Sequence, residues 1–508
     1  MLKSLLPYVL LFLVWAGMYV PGLGVLEIRG EEGRRVLPAL SMLDGGNWFV
    51  PHIGDVPYLK KPPLVNWLVA ASFAATGRRN EWAARLPSAL GVLALALGMF
   101  VATRRWLGPD HARFAALAVL TTVEMVDKGR LIEIDALYTA AFGLALVAWI
   151  DGADRSPWRR WVVPGIFLGL GLLLKGPLLL LFFYAIVLPT LARQKALAQL
   201  WSAPHVAGLL VMAVIFGAWL VPHLASPETK QAVGVWSGQY AERLDWGDYH
   251  PVHTLGNVGR ALINFLPWVL LVLLGRTWAG NDPPLVRGLE LGTLVTFVLV
   301  MLVPGGLPRY TLPLAVTVGL LAARRLHDQP RLVPVIHRAV FFFSFVPLLA
   351  SFSVLFWPEG RTYVIPAGMI VLMAMIWTHF ENTPGIKTLN WTLGALGVAA
   401  VLFFCGKIQP ELRRRESLRP EAGRIDRLTR PGQTIFAAGL ATPHLLFYVR
   451  APHRYVDGVG AIPETAEYVL TGSARVPDIQ KRFGDRATQL LDYHERGGNE
   501  TFLFEVRN

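Results

Sequence analysis

Two adjacent carboxylates and three guanidiniums stand close together in Glu27-Ile28-Arg29-Gly30-Glu31-Glu32-Gly33-Arg34-Arg35. A carboxylate beside fixed cations is what a site needs to deprotonate a hydroxyl while holding a phosphate. The same run also reads as a solvated cluster of mutually paired charges. Further on, Tyr58-Leu59-Lys60-Lys61-Pro62-Pro63 fixes the backbone after two lysines, and the apolar run with Trp67 predicts a helix lying in a membrane interface. Lys61 is thereby placed to meet a lipid-linked phosphate, or to snorkel as an anchor. Asp135 enters an apolar run, where an ionisable group is costly and marks a site, unless it serves as a first-turn acid on the helix dipole. Lys175, in Leu174-Lys175-Gly176-Pro177, interrupts another apolar stretch and marks a tight turn or reaches a phosphate. Pro308-Arg309-Tyr310 adds a cation and a phenol at the start of a later run. His223, His250 and His253 lack the spacing of a metal motif, and no Walker loop, nucleophile elbow or dinucleotide fingerprint is present.

The elements that must position these groups are membrane helices. Hydrophobic residues make up 54% of the 508 and charged residues only 16%, which argues against a wholly soluble enzyme. Disorder is excluded on the same grounds. The net charge of +13 comes from basic residues scattered between apolar segments, which fits membrane orientation and anionic lipid and gives no support to nucleic acid. Cys405, the single cysteine, sits in an apolar run and reads as a buried structural thiol. Apolar runs centred near residues 14, 95, 120, 143, 168, 185, 213, 270, 296, 316, 347, 370 and 399 predict about thirteen spans, the first an uncleaved N-terminal helix.

With Lys3 holding the N-terminus inside, Arg104, Arg105, Arg113, Arg155, Arg159, Arg160, Arg193, Lys195, Arg324 and Arg325 all fall on the cytoplasmic side. Two long segments, 25–85 and 223–264, are then exported, and the first carries enough arginine and lysine to suggest an anionic partner there. Residues 1–408 are expected to form the membrane domain. From Gln409 the composition turns polar, and residues 409–508 predict a small α/β domain outside the membrane. Within it, Glu411–Arg430 predicts one charged helix, and Thr434–Ala438, Glu467–Leu470 and Thr501–Val506 predict strands.

The order of these motifs resembles the bacterial polyprenyl-phosphate-dependent glycosyltransferases of the GT-C superfamily. The nearest group includes the aminoarabinose transferase of lipid A and is related to the protein O-mannosyltransferases. The resemblance is carried by Glu31 to Arg35, Gly46 to Pro51, Tyr58 to Trp67, Glu81 to Ser88, Gly129 to Leu137, Leu174 to Pro177 and Pro308 to Pro313. It implies a polytopic α-helical fold with a catalytic cavity at the outer, periplasmic face of the bacterial inner membrane. It further implies a sugar donor on undecaprenyl or a similar polyprenyl phosphate, and a glycolipid or protein as acceptor. By correspondence, Glu31, with Glu32 beside it, and Asp135 take the acidic catalytic positions, Lys61 and Arg34 hold the donor phosphate, and Tyr58 lines the cavity; read from the residues alone, Lys175 is a further phosphate ligand and Arg309 and Tyr310 add a cation and a phenol to the cavity at the same face.

Two positions depart from the aminoarabinose pattern. Lys60 replaces a glutamate that contributes to a metal site, and Arg35 stands where a tyrosine is common. A divalent metal and the identity of the sugar are therefore left open, and no nucleotide or redox cofactor is implied. The expected reaction is an inverting direct displacement, with polyprenyl phosphate leaving. A carrier or flippase for polyprenyl-linked glycans is the alternative, and it calls for charges near mid-span on broken helices rather than at one membrane face. A scaffold of an envelope complex is a third reading.

Overall fold

The computed structural model describes residues 2–247, 249–274, 282–351, 361–380, 385–440, 443–494 and 500–507. They form two compact units, both discontinuous in sequence. The first combines Met1–Leu23, Leu86–Pro222 and Gln231–Ile408; the second combines Gly24–Arg85, His223–Lys230 and Gln409–Asn508.

The described residues of the first unit are built into helices and the turns between them. Among the described residues of the chain, five helices are long and apolar enough to cross a membrane: those beginning at Glu81, Ile134, Ala203, Pro284 and Ile386. Other expected spans are shorter apolar helices, such as Leu178–Arg193, or are interrupted. The run near residue 120 stops at Leu120 and resumes as the short helix Val123–Lys128, and the runs near 168 and 185 separate at Gly176. Ile134–Gly152 is buried along 89% of its length and packs against Pro157–Lys175, so it is an inner helix. Small residues let backbones approach: a Cβ on Gly165 would lie 2.3 Å from the carbonyl oxygen of Gly208 on the helix Ala203–Ala225. The chain is thus a polytopic membrane protein.

The second unit is built on a mixed five-stranded sheet. Numbering from the two-residue hairpin β1 (His52–Ile53) and β2 (Val56–Pro57), its strands are β3 (Ile435–Ala438), β4 (His453–Val456), β5 (Tyr468–Gly472), β6 (Ala487–His494) and β7 (Glu500–Val506). Their order is β4-β3-β5-β7-β6, parallel across the first three and antiparallel across the rest. Strand alternation gives the sheet two apolar faces. Ile435, Ala437, Tyr468, Leu470 and Leu503 face one core, which also takes Leu37, Ile53 and Tyr58 from the first long loop. Val469, Phe504 and Val506 face a second core closed by Ile479 and Phe483. The loop 25–85 and the C-terminal residues therefore fold as one body, and of the loop 223–264 only residues 223–230 join it.

The single helix expected over Glu411–Arg430 is two, Gln409–Glu416 and Arg419–Leu428. Pro420 has no N–H to donate to the Glu416 carbonyl and its ring would clash there, so one helix cannot run through, and the break at Ser417-Leu418 is held from outside. The Glu27 carboxylate accepts hydrogen bonds from the Ser417 hydroxyl and the Leu418 N–H, both at 2.6 Å. Strands β4 and β6 were not among those predicted.

Candidate functional site

In the second unit the acidic-arginine motif folds as a 3₁₀ turn, Gly30–Glu32, leading into the helix Gly33–Leu43. This geometry separates the two adjacent carboxylates. Glu32 turns inward, 1% exposed, where both its oxygens accept bonds of 2.8 Å from the equally buried Arg85. Arg85 also donates to the carbonyls of Leu26 and Glu27, so the pair fixes the entry of the loop. Glu31 turns outward, its side chain 35% exposed, between Arg34 at 2.7 Å and Arg35 at 3.5 Å. Gly33 is required where helix meets loop, because a Cβ there would sit 2.5 Å from that of His444.

Arg35 is buried and donates to the Tyr58 hydroxyl at 2.6 Å. Tyr58 itself is buried in the core of the unit with Leu37 and Ile53, and Arg35 caps its hydroxyl. Lys61 is half-buried in the bend before Pro62-Pro63, and Pro63 starts the helix Leu64–Thr76. The Trp67 ring N–H donates to the carbonyl of Trp48, tying that helix to the preceding loop. Asn66, not singled out from the sequence, donates to the carbonyl of Arg35 at 2.8 Å.

The first unit gathers the remaining expected residues. Asp135 lies in the first turn of Ile134–Gly152, 7% exposed, and forms a short ion pair with Lys175. Lys175 ends its helix, and Gly176 follows with φ +101°, a conformation that favours glycine; Tyr138 donates to the Gly176 carbonyl at 3.1 Å. The Lys175 ammonium sits 4.3 Å from the centre of the Tyr310 ring, and the Arg243 guanidinium 5.1 Å from it. Arg309 occupies the turn Pro308–Thr311. Burial would lower its guanidinium, but the charges of Asp135 and Glu133 leave it above its usual value.

Residues missed in the sequence complete this group. Lys128 reaches Glu133 at 3.3 Å and Asp127 at 3.0 Å. Burial pushes Glu133 up despite Lys128, and pushes Glu124, on the short helix Val123–Lys128, up to about 7. Glu133 lay within a quoted motif, but nothing in its spacing set it apart; Lys128 and Arg243 gave no signal at all. The nine expected residues thus form two groups: Glu31, Glu32, Arg34, Tyr58 and Lys61 in one unit, Asp135, Lys175, Arg309 and Tyr310 in the other. Among the described residues no three His, Cys, Asp or Glu side chains come together in a way that could hold a metal ion. His223 instead bonds the Phe49 carbonyl at 3.1 Å, and His52 meets Glu228 at 3.3 Å.

Residues 60–221 match the family described as dolichyl-phosphate-mannose-protein mannosyltransferase. The chain is 25% identical over 418 residues to the undecaprenyl phosphate-alpha-4-amino-4-deoxy-L-arabinose arabinosyl transferase of Pseudomonas savastanoi pv. phaseolicola, covering 78% of this chain and 75% of that protein. It is 29% identical over 317 residues to such a transferase from Pseudomonas fluorescens, covering 59% of this chain and 56% of the relative. The crystal structure of ArnT from Cupriavidus metallidurans bound to undecaprenyl phosphate superposes with a TM-score of 0.73 at 18% identity, over 99% of this chain and 98% of that one. The GT-C resemblance drawn from the sequence is therefore borne out in fold and in relatives.

Proposed function

We propose that this chain, a GT-C glycosyltransferase by fold and by its sequence relatives, moves a sugar from a polyprenyl-phosphate donor to a lipid A, other glycolipid or protein acceptor. The observation that carries the reading is Asp135, a buried carboxylate in the first turn of a membrane helix, paired with Lys175 and facing the charge of Arg309. Its place at a helix mouth, rather than at mid-span, favours a transferase over a carrier. The relatives' names give a pentose and a hexose donor, aminoarabinose and mannose, and either class suits the chemistry below.

The acceptor oxygen attacks the anomeric carbon, the bond from that carbon to the phosphate oxygen breaks, and its electron pair leaves on polyprenyl phosphate. The sugar inverts. Electrostatic stabilisation of the departing anion is then the main catalytic need. In the second unit Lys61 and Arg34 are its candidate sources and Glu31 the candidate base; in the first, Arg309 is the candidate source, and Asp135 takes the acceptor proton or orients an acceptor that is already anionic. Lys175 orients Asp135. Glu32 is a positioning residue, because Arg85 occupies both of its oxygens. The active site faces the periplasm in this reading.

The test is transfer from a radiolabelled polyprenyl-phosphate sugar by purified wild type beside Glu31→Gln, Lys61→Ala and Asp135→Asn, with membrane lipids and proteins as acceptors. Loss of about 10²–10⁴-fold in rate is expected for a removed acid-base group, and about 10²–10³-fold for a removed anion-stabilising donor. Binding of the labelled lipid with no separation of sugar from phosphate, across a broad acceptor panel, would overturn the enzyme in favour of a carrier.

A further inference from the structure

The second unit holds a cavity of about 870 Å³ that the reading above does not use. It is lined by the helix Arg419–Leu428, the turn after it, the loop 447–452 and Arg79 to Glu81. Five arginines face it, Arg79, Arg419, Arg427, Arg430 and Arg450, against the two carboxylates Glu81 and Asp426. The carboxylates are engaged. Glu81 accepts from Arg419 at 2.5 Å and from the Tyr448 hydroxyl at 3.0 Å. Asp426 accepts the backbone N–H groups of Arg450 and Ala451, each at 2.9 Å.

That last contact is what builds the site. By tying the loop to the helix, Asp426 brings its neighbour Arg427 and the anchored Arg450 to one wall. Arg79 is paired with Asp44, and Arg430 with Glu467 and Glu505. Arg427 and Arg450 are exposed, and neither guanidinium has an ion-pair or hydrogen-bond partner among the described residues. Two guanidinium forks with no carboxylate to satisfy them match a phosphate, which each can engage through paired N–H donors.

We propose that this cavity binds the phosphate of a membrane lipid headgroup. Arg79 to Glu81 form its rim, and Glu81 opens the helix Glu81–Leu107, which is long and apolar enough to cross a membrane. The rim of the cavity therefore runs directly into a candidate membrane helix, and the volume is far larger than a phosphate ion needs. Phe447 adds an apolar wall for the part of the headgroup beyond the phosphate.

The experiment measures binding by the full chain in detergent, not transfer, so its failure is distinguishable from failure of the reading above. Probes are a short-chain phosphatidic acid, a short-chain phosphatidylcholine and inorganic phosphate. Wild type is expected to bind phosphatidic acid at least about tenfold more tightly than the other two, the weight of one charge-assisted contact. The double variant R427E/R450E should lose that preference, while R507E, an exposed charge reversal on the same unit but off the cavity, should keep it. Retained melting temperature shows that the variants fold. Equal binding by wild type and the double variant overturns the site, and equally tight inorganic phosphate overturns the headgroup as its occupant.

Discussion

Glu31 and Glu32 are neighbours in sequence with opposite energetic roles, and their variants should separate accordingly. Removing one partner of a buried ion pair leaves an uncompensated charge, so Glu32→Ala is expected to cost about 3–5 kcal/mol of stability. Glu31 sits in a partly exposed pair, where the cost is about 0–1 kcal/mol. Melting should therefore fall for Glu32→Ala alone, whereas transfer should fall for Glu31→Gln at unchanged melting temperature. Equal melting losses would show that both carboxylates are structural. Glu124 carries a second prediction. Burial raises its carboxyl to about 7, so the folded chain keeps a proton that the unfolded chain has lost above its ordinary 4.5. Stability is then highest below about pH 4.5 as far as this group is concerned, and falls as pH rises toward 7, by about 2–3 kcal/mol after allowance for partial exposure. Glu124→Gln should flatten that slope in melts across pH 5–8. At this scale the sequence placed the two carboxylates side by side but could not tell the buried one from the outward one, because that choice is made by Arg85, 53 residues from Glu32.

Elements were legible where periodicity was local and illegible where another segment interrupts it. Strands β3, β5 and β7 show apolar runs of strand length and were read within two residues of their observed limits. Strand β4 exposes His453 and Arg454 at the sheet edge, so little apolar pattern remains, and β6 carries a bulge between Gln489 and Leu491 that breaks its alternation. The charged helix split in two because Glu27, 391 residues from Leu418, supplies an acceptor at the break. Glu27→Ala should leave the Leu418 N–H unsatisfied and buried, at a cost of about 1–3 kcal/mol. Hydrogen exchange is the measurement: amides of Arg419–Leu428 should exchange faster, while those of the helix Val476–Phe483 on the other sheet face should not. Unchanged exchange in both would show that Pro420 alone fixes the break.

For the whole molecule, hydropathy and charge sufficed for the fold class, since long apolar runs spaced by arginine-bearing turns admit little else. They could not reveal that residues 24–85 share a body with residues 409–508, because that union rests on pairings far apart in sequence, such as Glu27 with Ser417. The same charge pattern predicts the orientation, and the chain's composition makes this testable. Its only cysteine, Cys405, is 2% exposed, with its thiol donating to the Pro21 carbonyl and Arg130 reaching the sulfur. A membrane-impermeant maleimide should therefore find no background target, and single cysteines can be added to the native chain. Arg507 is exposed at the end of the sheet domain, and Arg159 has a side chain 54% exposed in the first turn of the helix Pro157–Lys175, at an end expected to face the cytoplasm. Arg507→Cys should be labelled in intact cells with a permeabilised outer membrane, and Arg159→Cys only once the inner membrane is opened. The reverse pattern would invert the chain and put residues 409–508 in the cytoplasm. The acidic groups at the helix mouths would then face nucleotide-linked rather than exported polyprenyl donors, so the labelling decides which sugar pool this chain can reach.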